Sequence, residues 1–179
     1  VKDRVILGYE LLSQPDDTLE KRIPGIQKRN ETIITVAREE DIVLLTEPVS
    51  TEYHSWLRDF GLSTDHIYQL PKGDENRIPN AIQEDSHLIK WLDKFSGDRI
   101  YVPRYSGEGE VKAANRIQAK LFGCDEETVL QFYDKTLFKE LCEKHGIPTV
   151  PSETVTLNGD ESYCKLRQAT FRMLENADE

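Results

Sequence analysis

The run Ile42-Val43-Leu44-Leu45-Thr46 is apolar at successive positions, so a strand formed there is apolar on both faces. A strand with one wet face alternates apolar with polar side chains; a continuous run belongs to a parallel strand held between two helical layers. Other segments repeat the requirement. Arg4 to Tyr9 reads as a short buried strand, Ile67 to Leu70 as another and Arg99 to Val102 as a fourth. Helical patterns separate them. Asn30 to Glu40 has β-branched residues suited to either state, but its polar flanks, and the strand that follows, favour a helix. Thr51 to Phe60 has Ser50 as its N-cap, the stripe Tyr53, Trp56, Leu57 and Phe60, and Gly61 as its terminator. A helix from Pro79 to about Phe95 carries Ile82, Leu88, Ile89, Leu92 and Phe95 on its apolar face. Strand and helix alternating in this order specify the α/β class, with an open parallel sheet.

In such a sheet, ligands bind beyond the carboxyl ends of the strands. Gly8 lies at one such end and permits close backbone approach, but the next glycine is Gly25, so the G-x-G-x-x-G phosphate fingerprint is missing and a dinucleotide site is disfavoured. Residues 13–29 read as a long polar connection with one helical turn at Leu19 to Ile23, and Lys72 to Arg77 as a polar turn. Tyr105 to Glu110 is glycine-rich and precedes an alanine-rich helix expected to end at Gly123. Backbone N–H groups there can meet an anion. Glu108 and Glu110 repel a phosphate, however, so a helix cap supplied by Ser106 is the favoured reading; an amine or a metal-bridged group still suits the loop.

Composition excludes several functions. The formal net charge of −10, without a concentrated basic run, argues against a nucleic-acid surface. No apolar stretch approaches the ~20 residues of a membrane span, and the first residues resemble no secretory signal, so a cytoplasmic location is expected. Cys124, Cys142 and Cys164 are odd in number and widely spaced, as reduced thiols are. The four histidines have neither i,i+4 pairing nor zinc-like cysteine spacing, so no metal ligand is assigned. There is no Gly-x-Ser-x-Gly elbow. Trp56 and Trp91 sit on helix stripes and read as core, and Glu39-Glu40-Asp41 as a solvated helix end.

The segment Tyr133 to Pro151, YDKTLFKELCEKHGIPTVP, has the strongest local logic. Asp134 is a good N-cap; Leu137, Phe138, Leu141, Cys142 and His145 fall at helical spacing. Lys139, Glu140, Glu143 and Lys144 take the other side, with Glu140 four residues before Lys144 in the favourable order. Gly146 can close the helix in the left-handed conformation, and Pro148 keeps Ile147 out of it.

Asp-Lys at a helix start, followed by Gly-Ile-Pro-x-x-Pro, resembles the opening of the ATP-grasp domain of carboxylate–amine ligases. Residues 1–125 resemble, in arrangement, the Rossmann-like pre-ATP-grasp domain that precedes it, and 126–179 an incomplete ATP-grasp domain. Val102-Pro103, the glycine-rich loop and the Asp134-Lys135 helix are nearest to the pheganomycin-type peptide ligases. The resemblance implies that Lys135 reaches ATP phosphate oxygens and that ATP and Mg²⁺ serve the parent enzyme. It also implies small carboxylate and amine substrates joined through an acyl phosphate. Self-association is left open.

After Pro151, Val155 and Thr156 suggest a strand, Leu157 to Asp160 a turn, and Ser162 to Leu174 a helix with Leu166, Ala169, Phe171, Met173 and Leu174 apolar. The later ATP-grasp features, a second lysine, a flap and acidic metal ligands, are not found. The chain is therefore expected to be an N-terminal fragment, inactive in ligation and weak in binding ATP, with Lys135 facing solvent and part of the last helix's apolar face uncovered. The alternatives are a non-catalytic Rossmann-like binding or assembly domain and a small nucleotide-sugar or glycosyl-transfer half-domain. The Gly-Ile-Pro-x-x-Pro continuation disfavours the second.

Overall fold

The computed structural model describes residues 3–8, 26–71, 77–156, 159 and 162–175. They fall into two compact units, one up to Val129 and one from Leu130 onward. The expected turns at Leu19 to Ile23 and Leu157 to Asp160, the Lys72–Asn76 part of the polar turn and the Tyr9 end of the first strand lie outside the described residues, apart from Gly159.

The first unit holds a five-stranded sheet in the order β3-β2-β1-β4-β5. The strands are β1 Arg4–Gly8, β2 Ile42–Leu45, β3 Ile67–Gln69, β4 Arg99–Pro103 and β5 Ala119–Leu121. Every pairing is parallel; Ile6 stands beside Ile42 on one side and Tyr101 on the other. The apolar run of β2 divides as its pleat dictates. Ile42 and Leu44 enter one core with Ile6, Tyr101, Ile78, Ile82, Leu88, Leu92, Ala113 and Ile117, whereas Val43 and Leu45 enter a second with Leu7, Ile34, Ala37 and Leu57. Both faces are therefore covered, and each fully buried branched side chain contributes roughly 1.5–3 kcal/mol.

The connections depart from expectation in instructive ways. The helix expected over Asn30 to Glu40 is a 3₁₀ helix, Ile26–Val36. Its Thr32 and Thr35 hydroxyls donate to the carbonyls three residues back, Arg29 and Thr32, and the β-branched run Thr32 to Val36 resists α geometry. Asp41, expected on a solvated end, is buried and accepts from the Arg38 N–H at 2.9 Å. Helix α1, Thr51–Asp59, is capped by Ser50, whose hydroxyl accepts from Tyr53 N–H, and is followed by Gly61 at φ +68°. Leu57 is its buried residue; Trp56, expected in the core, is 54% exposed.

The helix expected from Pro79 to Phe95 is two helices, α2 Ile78–Glu84 and α3 Leu88–Leu92. Asp85 breaks it. Its backbone turns extended, and one carboxylate oxygen accepts from the N–H groups of His87 and Leu88 while the other accepts from the Tyr68 hydroxyl at 2.8 Å. The alanine-rich helix α4, Glu108–Arg116, ends before Gly123. Gln118 then takes φ +54° and the chain enters edge strand β5, which periodicity does not reveal. Trp91, expected in the core, is partly buried and packs against its edge between Tyr68 and Phe95.

Burial first, then the hydrogen bond to Asp85 and that carboxylate's charge, push the Tyr68 hydroxyl up from 10.0 to about 12. The stability tied to its protonated form is fully present below pH 10. It is lost as pH rises through about 12, because only the unfolded tyrosine ionises readily in that window. Urea midpoints should accordingly fall between pH 10 and 12, and Tyr68→Phe should flatten that slope; an unchanged slope would remove Tyr68 as its source.

Helix α5, Glu126–Tyr133, runs across the boundary between the units, and the second unit continues with α6, Lys135–Lys144, and α7, Ser162–Glu175. Helix α5 begins in the first unit and was not anticipated from sequence. Val155 and Thr156 form no strand; residues 151–156 run without regular structure, tied by Lys139 donating to the Ser152 carbonyl at 2.7 Å and by Arg172 pairing with Glu153. A strand needs a neighbour for its backbone groups, and the described residues of this unit supply none. On α7 Ala169 is buried while Leu166, Phe171 and Leu174 are exposed. Among the described residues no helix is long and apolar enough to cross a membrane.

Candidate functional site

The strand order reverses at β1: β2 and β3 extend to one side, β4 and β5 to the other. The crevice of an open α/β sheet lies beyond the carboxyl ends at this switch point, here past Gly8 and Pro103. Gly8 fits because it lacks a Cβ; one added there would lie 2.6 Å from Tyr101 Cε2 and 2.7 Å from its Oη. Thr46, the residue after β2, is buried, and its hydroxyl makes no hydrogen bond among the described residues.

The glycine-rich loop delivers the start of α4 to this edge. Its N-cap is Gly107, not the expected Ser106, which is buried against Gly123 so closely that a Cβ there would collide with Ser106 Oγ. Glu110 reaches back to accept the Gly107 N–H at 3.0 Å, and its other oxygen stands 3.6 Å from Arg77 Nη2. Glu108 is exposed and pairs with Lys112 at 2.6 Å; that hydrogen bond, then the lysine charge, hold its carboxyl below the usual range. The positive end of α4 thus already faces two carboxylates of its own, which opposes a bound phosphate. Sequence reading identified the repulsion, but not the cap or the Arg77 partner.

Two depressions lie at the opposite edge, by the amino ends of the strands. One, of about 610 Å³, is lined by Asp3, Asp98, Arg99, Gln118 and Lys120. The other, of about 380 Å³, is lined by Glu39, Arg58, Ser63, Asp65 and His66. Beside the latter, His54 Nε2 lies 2.7 Å from Ser63 Oγ and 3.1 Å from the Thr64 carbonyl oxygen. The Ser63 hydroxyl also lies 3.3 Å from that carbonyl, so the three groups form one compact network. The contacts join residue 54 of α1 to the loop ahead of β3, and no carboxylate bonds to the imidazole's other nitrogen among the described residues, so the third member of a Ser-His-carboxylate arrangement is not seen there. Arg58 is already paired with Asp65. No group of three or more His, Cys, Asp or Glu is gathered as metal ligands among the described residues, and the three cysteines are free.

Lys135 belongs to the second unit, as the first residue of α6, and it is exposed. Asp134 caps the helix with one oxygen that accepts from Thr136 N–H at 2.8 Å and Leu137 N–H at 3.0 Å. At the other end Gly146 adopts φ +67°, and the Ile147 N–H bonds back to the Cys142 carbonyl at 2.9 Å before Pro148. Of the expected apolar stripe Cys142 is buried, whereas Leu137 and Phe138 are 44% and 43% exposed. The Lys135 ammonium at the first helical position adds positive charge to this helix end, while the Asp134 carboxylate already occupies two of its first-turn N–H groups. Searches against protein-family models, curated proteins and solved structures give no match to this chain.

Asp134→Ala should cost about 0.5–2 kcal/mol of local helix stability, because two first-turn N–H groups lose their acceptor. Hydrogen exchange on the whole chain would detect this as faster exchange at Thr136 and Leu137, with β1 and β4 amides unchanged. Equal acceleration in both places would mean that the cap is not a local element.

Proposed function

We propose that this chain forms the pre-ATP-grasp sheet and the opening of the ATP-grasp domain of an ATP-dependent ligase that joins a carboxylate to an amine. One observation carries the reading: an exposed Lys135 begins a helix capped by Asp134 and closed by Gly146-Ile147-Pro148. The open parallel sheet ahead of it agrees. ATP supplies the phosphoryl group that activates a carboxylate toward an amine. Lys135 would hold phosphate oxygens through charge-assisted hydrogen bonds; no residue here is assigned to Mg²⁺. The free cysteines suit a cytoplasmic setting.

The closure of the α4 start by Glu110 favours a second reading, a non-catalytic Rossmann-like binding or assembly domain. The natural polypeptide that contains residues 1–179, supplied with ATP, Mg²⁺ and pools of amino acids and small carboxylic acids, separates the two. ADP release that requires both a carboxylate and an amine is expected. No ADP release with any pool would favour the binding domain and overturn the ligase reading.

A further inference from the structure

We draw no further inference here: the strongest candidate, the exposed aromatic stripe formed by Trp56 and Phe60 beside Tyr53 on α1, is an unpartnered apolar face, and nothing in the structure shows what covers it.

Discussion

Lys135→Ala, made in the natural polypeptide that contains this sequence, is expected to lower kcat/KM for ATP by well over tenfold, more than ~1.4 kcal/mol of transition-state stabilisation. The fold should not register the change. Lys135 is exposed, its backbone position in α6 is held by the Asp134 cap, and alanine is the better helix former. Melting temperature is therefore expected to stay constant while the kinetics collapse. Lys135→Arg keeps the charge but replaces a compact ammonium with a broad fork, so it should recover only part of the loss. An ATP KM and kcat unchanged in Lys135→Ala would return this lysine to an ordinary solvated surface residue and remove the main support for the ligase reading.

The same helix illustrates what a sequence can reveal about a site. Asp134, Gly146 and Pro148 act through the backbone within one or two turns, so their effects can be read locally, and the structure realises both ends of the helix as expected. The paired faces of β2 are legible for a related reason: strand pleat converts a continuous apolar run into two cores without further information. Misreadings arise where a tertiary partner decides. Asp85 interrupts a good helical pattern because Tyr68, from a different strand, supplies a donor to one oxygen while the other caps the next helix.

Strand β5 is three residues long, and its Ala119, Lys120 and Leu121 have no β-branched signature; β4 makes them a strand by offering an edge to pair with. Trp56 lies on the stripe that contains Leu57, yet a helical stripe gives direction and not depth, and this one is wider than the surface it covers. At the carboxyl edge, the Glu108 and Glu110 charges were legible. That Glu110 would fold back onto Gly107 and meet Arg77 from another helix start was not, since nothing local links residue 77 to residue 110.

The largest stability effect is expected where β1 and β4 meet beside the switch point. Tyr101 is fully buried and is the largest such side chain in the sheet. Tyr101→Ala should cost about 3–5 kcal/mol, the range for removing a buried aromatic ring and leaving a cavity. Gly8→Ala should cost about 1–3 kcal/mol for the opposite reason: its new Cβ would press on Tyr101 Cε2 and Oη at 2.6 and 2.7 Å, and a ring packed on all sides cannot retreat. The two penalties share one volume. In the double variant the methyl group at position 8 enters space that the ring has vacated, so the combined loss should fall short of the sum by at least ~1 kcal/mol. Urea unfolding of the wild type, both single variants and the double variant measures that coupling directly. Strict additivity would mean that Gly8 is not held to glycine by the tyrosine ring.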